Sequence, residues 1–397
     1  MFCATRGSCR NIPGPSRDWP TGQLLHKYLD GERKSKQWKA THGPIYRLYS
    51  GFNPEIVITT AKDVRSFHSD TKHHCKSHAS NAGWLFDSLL GKCLGLINGQ
   101  DWKTFRQAFG PLFTHRSVGR RVSEIAQEIE RCMDHKASSR DGVPLDVLSA
   151  IQRAPFWCTA IYVYGPLSES ERKKLWSLAE RRALIFRNIL KGGIYSTPWL
   201  RFWDRELFHN LQGFREEWRC FNRTMFQKKQ DMPSNRPLFG IWDITLDNRG
   251  SVDILCQTLD EMLFANLDVS SHVLSSCLYF IAADTSIQRR LRQEIQASET
   301  ELEAYCQQRN SLLYYCTLEA LRLRPIAAFS MPEYSHEEKI LSGCLIPAKT
   351  HVIIDAYSVN HDPQVWGEES SKFLPDRFLS IQNIDVRCSK DKYRPRC

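Results

Sequence analysis

The stretch Tyr315–Pro325, YCTLEALRLRP, decides how this chain is read. As a helix it places Glu319 one turn beyond Tyr315 and Cys316 and two turns beyond Leu312, with Leu323 one turn later. A carboxylate therefore stands in the middle of an apolar stripe. Arg322 follows three residues on, within reach of that carboxylate. Burying either ion alone is costly unless its partner arrives with good geometry, and the apolar flanks point to a buried, structural pair rather than a surface one. A buried Glu keeps lone pairs to spare, which a second Arg can satisfy. Arg377, in KFLPDRFLS (372–380), sits in an aromatic and proline setting from which a loop can fold back onto the helix.

Working outward, the chain turns β-like after this helix, in IAAFSMPEYS (326–335), EKILSGCLIP (338–347) and THVIIDAYSV (350–359), each bounded by Pro or Gly. Near the other end, PIYRLYS (44–50) and EIVITT (55–60) flank the turn-like GFNP, after a helical pattern over 22–43. From residue 61 to about 320 the signals are helical, with clear loops at KGGIYSTP (191–198) and KKQDMPSNRP (228–237). The expected fold is mainly α, with a small mixed sheet built from both ends of the chain beside a large helical body. No repeat or low-complexity block is present.

One helix is expected to be unusually long. From Val252 to Ala283 no Gly or Pro interrupts a nearly continuous apolar pattern. At 1.5 Å per residue that is roughly 45 Å, enough to cross a domain. Within it, FANLDVSSHV (264–273) carries Asn266, Asp268, Ser270 and Ser271 where a purely structural helix would hold Leu or Ala. Such side chains compete for backbone hydrogen bonds and can bend or open a helix. They also point in different directions, so they do not form one wet stripe.

With 397 residues, 42% of them hydrophobic, the chain can bury a large core. The formal charge of +10 would favour an anionic membrane surface or an acidic protein, but no Lys/Arg run resembles a nucleic-acid arm, and no nucleic-acid partner is expected. The fourteen cysteines have no C-x-x-C pair and no regular spacing, and read as reduced thiols. The longest apolar run, VLSSCLYFIAA (273–283), is about half of what a bilayer span needs.

These pieces fall in an order that resembles a cytochrome P450, a haem-thiolate monooxygenase. A Glu-x-x-Arg helix is followed by short strands, then HDPQVWG (361–367), then FLPDRF (373–378). IPGP (12–15) resembles the proline-rich hinge after the anchor of microsomal members, and GQDWKTFRQAF (99–109) resembles the helix whose Trp and Arg, here Trp102 and Arg106, approach the haem propionates. FANLDVSS resembles the oxygen-activating stretch of the long central helix. The resemblance covers nearly the whole chain as a single domain, 1–397: a proline-rich lead (1–20), the central helix (252–283), the Glu-x-x-Arg helix (312–323) and the PDRF-type loop (373–379). It implies haem as cofactor, with O2 and with NADPH electrons delivered by a reductase, and a small lipophilic substrate. It also implies a structural network of Glu319, Arg322 and Arg377, haem-propionate contacts from Trp102 and Arg106, and proton delivery by Asp268 and Ser270. The segment SNAGWLFDSLLGKCLGLINGQDW (80–102) resembles fungal members that oxidise peptide-derived secondary metabolites such as diketopiperazines. The family implies the endoplasmic reticulum membrane; without an anchor-length run, this chain is expected in the cytoplasm or on a membrane periphery.

The sequence departs from the family pattern at several points. Asn266 stands where Gly is usual, Val269 occupies the usual Thr position, and Glu333 replaces a basic residue often found near a propionate. The loop Phe-x-x-Gly-x-x-x-Cys-x-Gly, whose thiolate ligates iron, does not occur. Cys397 follows no Gly-rich turn. A product shortened at the C-terminus before that loop is therefore expected, and by itself it should not support monooxygenation. Two rivals follow: a haem-free helical protein, and a zinc-binding one built on His73, His74, Cys75 and His78 of TKHHCKSH, although no second ligand group at finger spacing accompanies these four.

Overall fold

Strands from both ends of the chain share one sheet in the computed structural model, which describes residues 12–69, 74–137, 151, 153–229, 251–298 and 301–379. Residues 1–11, His73, most of KKQDMPSNRP and Cys397 lie outside the described residues. The chain groups into two compact units: Met1–Gly91, Phe186–Arg205 and Leu321–Cys397 form the first, and Lys92–Ile185 and Glu206–Ala320 the second.

In the first unit, β1 (Ile45–Ser50) and β2 (Asn53–Ile58) form the expected antiparallel hairpin, with Ile45 opposite Ile58. The sheet continues through β3 (His74–Lys76), β4 (Glu333–Ser335) and β7 (Val352–Ile354) in the order β1-β2-β7-β4-β3. The β2–β7 pairing is parallel, Ile56 opposite Val352, which makes the sheet mixed. Alternation along the strands sends Ile56, Ile58 and Val352 into one core with Ile12, Phe67 and Leu341. Val57 and Ile353 enter the opposite core, with Trp38, Tyr46, Leu48 and Phe329. The sheet is thus buried on both faces, and each fully buried aliphatic side chain contributes roughly 1.5–3 kcal/mol. EKILSGCLIP forms a separate hairpin of β5 (Lys339–Leu341) and β6 (Cys344–Ile346). Its two turn residues, Ser342 and Gly343, both take positive φ, as a tight hairpin twisting with its strands requires.

Two local readings change. The helical pattern over 22–43 breaks into Leu24–Leu29 and Gly31–His42. At the break a Cβ on Gly31 would lie 2.7 Å from the Ala328 Cβ, so only glycine allows this approach. The β-like run THVIIDAYSV ends as a strand at Ile354, because Asp355 caps the helix Ala356–Asn360 by accepting from Ser358 N.

The second unit is helical. The long helix spans Ser251–Asp260, a π-turn at Glu261–Ala265 and Asn266–Ala283, so the expected element is present but widened in its middle. π-Turns inside α-helices often mark functional positions. Phe264, within the π-turn, packs on Trp218, Phe156 and Phe214 with ring centroids 4.8, 6.0 and 6.1 Å apart. Buried ion pairs tie helices together: Arg172 grips Glu128 with two bonds of 2.8 and 2.6 Å, and Arg182 Nε donates to Asp260 Oδ1 at 3.0 Å. No described helix is long and apolar enough to cross a membrane.

Candidate functional site

In the second unit, the helix Gly99–Phe109 buries Phe105 and Phe109 and leaves Trp102 and Arg106 accessible. The i,i+4 spacing puts the indole and the guanidinium on one face. An indole N–H beside a guanidinium is a donor set suited to an anionic carboxylate.

The segment leading into this helix is clipped to the central helix. Lys92 N donates to Gln257 Oε1 at 2.6 Å, Leu94 N to Thr258 Oγ1 at 3.0 Å and Gly95 N to Glu261 Oε2 at 3.1 Å. A Cβ on Gly95 would sit 1.9 Å from the Glu261 carboxylate, so a side chain here would displace that carboxylate from its bond to Gly95 N. Lys92 Nζ adds an ion pair to Asp253 at 3.2 Å. These positioning residues escaped the sequence reading. Their only signal was a run of polar side chains, Gln257, Thr258 and Glu261, on an otherwise apolar helix.

Farther along the central helix, Asp268 is exposed and Ser270 half-buried. Ser271 is buried and turns its hydroxyl back to Leu267 O at 2.6 Å, the usual way a mid-helix serine satisfies itself. Asp260, just before the π-turn, is almost fully buried. Burial pushes its carboxyl up to about 6, with Arg182 pulling in the opposite direction.

The Glu-x-x-Arg helix, Leu312–Leu323, buries Glu319 completely and leaves Arg322 1% exposed. In the first unit the Arg322 guanidinium donates to Asn360 O (2.7 Å), Ser370 O (2.6 Å) and Lys372 O (3.2 Å), and lies over the Trp366 ring at 4.9 Å. Arg377 donates to Trp366 O (3.0 Å), Glu369 O (3.0 Å) and Lys372 O (3.4 Å). The two arginines therefore converge on one loop, and both reach the Lys372 carbonyl. Both guanidiniums supply donors that buried backbone oxygens of this loop require.

The proposed zinc quartet is not assembled by its described members. Cys75 Sγ lies 3.4 Å from His336 Nε2, and the exposed His78 lies 3.6 Å from Asp87. His74 turns to the other face of β3, toward Glu333 at 3.8 Å.

Comparison with known proteins shows what this architecture is similar to. A family model described as Cytochrome P450 matches residues 12–395. The Cytochrome P450 monooxygenase sirC of Leptosphaeria maculans is 37% identical over 87% of this chain and 75% of that protein. The Cytochrome P450 monooxygenase hasH of Aspergillus fumigatus is 32% identical over 95% of this chain and 72% of that protein. Among solved structures, a zebra fish cytochrome P450 with progesterone superposes with a TM-score of 0.69, at 19% identity, over 88% of this chain and 84% of the other.

Proposed function

The chain belongs to the cytochrome P450 family of monooxygenases, and from that premise we propose that it serves haem-dependent oxidation of a small lipophilic molecule, a peptide-derived fungal metabolite of the diketopiperazine kind. The observation that carries the reading lies within the second unit. The helix bearing Trp102 and Arg106 is preceded by a segment whose backbone N–H groups donate three bonds to side chains of the long helix that bears Asp268 and Ser270. Trp102 and Arg106 would hold the propionates of a haem, which when bound supplies the iron centre for dioxygen chemistry. Asp268, exposed to solvent, takes up protons, and Ser270 passes them along the helix face. The electrons come from NADPH through a reductase, and the net charge of +10 suits an acidic redox partner.

The donor set fits the anionic edge of the cofactor. Burial pushes the Cys132 thiol up to about 11 and those of Cys158 and Cys256 up to about 12, which disfavours their free thiolate forms near neutral pH. No Phe-x-x-Gly-x-x-x-Cys-x-Gly loop occurs among the 397 residues. The test is haem titration of the 397-residue chain, followed by the Soret band and tryptophan quenching. Arg106→Ala should weaken binding at least about tenfold, since a charge-assisted hydrogen bond contributes ~1.5–3 kcal/mol. Unchanged affinity in Arg106→Ala and Trp102→Phe would sink the propionate assignment. The reduced carbon-monoxide complex should lack the thiolate-type Soret band; its presence would assign the axial role to a cysteine outside that motif.

A further inference from the structure

One cluster in the first unit has no part in the chemistry above. His68 follows the helix Ala61–Phe67, His74 lies on β3 and Glu333 on β4. One ligand atom from each falls within 4.8 Å of the others. Glu333 Oε2 is 3.9 Å from His68 Nδ1 and 3.8 Å from His74 Nδ1. The strand register accounts for the meeting. His74 pairs with Ser335 and Lys76 with Glu333, so His74 and Glu333 are diagonal neighbours on one face, while Cys75 and Tyr334 point to the other.

His74 is the telling member. Its side chain is 8% exposed, and neither ring nitrogen has a hydrogen-bond partner among the described residues. Phe67 packs edge-on against the ring at 4.5 Å and the His68 ring lies 5.0 Å away, which covers the His74 ring. Native interiors rarely leave a buried imidazole with both nitrogens unmatched, and where they do an unseen ion or water is the first explanation.

We propose that His68, His74 and Glu333 bind one divalent transition cation of the zinc type. Two neutral imidazoles and a carboxylate are a donor set zinc takes, with a water completing the tetrahedron. Magnesium and calcium prefer all-oxygen ligands and are disfavoured. With zinc–ligand bonds of about 2.0–2.2 Å, tetrahedral ligand atoms stand about 3.3–3.5 Å apart. The carboxylate must therefore close on each ring by about half an ångström, and Glu333, 29% exposed at its side chain, has room to turn. Lys76, directly across the ladder from Glu333, is the cation placed to compete for this carboxylate. Of the four residues that the TKHHCKSH sequence suggested, only His74 belongs to this site.

The experiment uses the full chain, stripped of metal and titrated with zinc against a chromophoric chelator, then with cobalt(II) as a spectroscopic substitute. One equivalent should bind, and cobalt should give visible d–d bands without the near-ultraviolet charge-transfer band of a thiolate ligand. His74→Ala and Glu333→Gln should each weaken binding more than about tenfold, the low end of what even an outer-shell partner contributes. His78→Ala, an exposed position outside the cluster, should bind as the parent does. If His74→Ala fails to fold, Glu333→Gln and the cobalt spectrum of the parent chain decide. A thiolate charge-transfer band, or parental affinity in the folded variants, assigns the metal to cysteines and overturns the proposal. Absence of micromolar zinc binding by the parent also overturns it.

Discussion

Replacing Arg322 with Ala is the sharpest test of how the Glu-x-x-Arg helix holds its loop. The side chain is 1% exposed and donates to three carbonyls, those of Asn360, Ser370 and Lys372, at 2.7, 2.6 and 3.2 Å. A buried group that loses its partner costs about 1–3 kcal/mol, so three carbonyls set a range of about 3–9 kcal/mol. Water entering the vacated space lowers that figure, and the lost contact with the Trp366 ring, about 1–2 kcal/mol when desolvated, raises it. A net loss of about 4–6 kcal/mol is expected, against a total stability of about 5–15 kcal/mol for a native domain. With a urea slope of about 3 kcal/mol/M, the midpoint should fall by roughly 1.3–2 M. Arg322→Lys keeps the charge but not the planar fork, and should recover about half of the loss. Because Arg377 also reaches Lys372 O, the Arg322→Ala and Arg377→Ala effects should not sum. The assay is urea denaturation by circular dichroism, with limited proteolysis across residues 360–372. An unchanged midpoint with an uncut loop would refute the view that this guanidinium secures the loop.

Other substitutions separate structure from chemistry. Glu319→Ala removes a fully buried carboxylate and should cost about 3–5 kcal/mol; parental stability in a melt would show that its charge has no structural partner. Asp260, raised to about 6 by burial, holds its proton in the folded state between about pH 4 and 6, where the unfolded chain releases it. Folding stability should therefore decline as pH rises through that window, by up to ~3 kcal/mol, and Asp260→Asn should remove this slope; identical slopes in both proteins would contradict the assignment. In a haem-loaded form given a cysteine loop and a reductase, Ser270→Ala should release more peroxide per product formed, whereas Ser271→Ala should not. Equal coupling in all three proteins would exclude the Ser270 hydroxyl from the proton route.

The sheet was legible because its pattern has period two and its turns carry Gly and Pro. PIYRLYS and EIVITT became β1 and β2, and VII in THVIIDAYSV became β7. What the pattern could not carry was a reversal of role within a few residues. Asp355 looks like one more polar position in a strand, yet it is buried, accepts from Ser35 Oγ at 2.7 Å and from Tyr46 OH at 3.1 Å, and starts a helix. Ser35 and Tyr46 lie some three hundred residues away in sequence, so a local window contains only the capping contact with Ser358 and not these two bonds. Gly31 is similar: its need for glycine comes from Ala328, and nothing nearby in sequence reveals that. His68 and His74 meet Glu333 only once β3 and β4 have paired, so the compact run of histidines and a cysteine around His74 could not reveal the other two members of the cluster.

The polar residues of the central helix divide into two groups, and the division argues for where chemistry resides. Those before and within the π-turn are engaged: Gln257, Thr258 and Glu261 hold backbone N–H groups of residues 92–95, and Asp260 holds Arg182. Packing accounts for their presence, since each gives an interior donor a partner. Beyond the π-turn, Ser271 satisfies itself on Leu267 O, but Asp268 remains open to solvent. A helix that spends its first polar residues on fixing a neighbouring segment and leaves a later carboxylate exposed has a rigid half and a solvated half. Proton transfer needs both: a fixed frame to keep distances short, and a group in exchange with water to renew the proton. Val269 at the position where the family usually carries Thr moves the hydroxyl by one residue, about 100° around the helix, so Ser270 can serve only if the route approaches from a different side of the same turn.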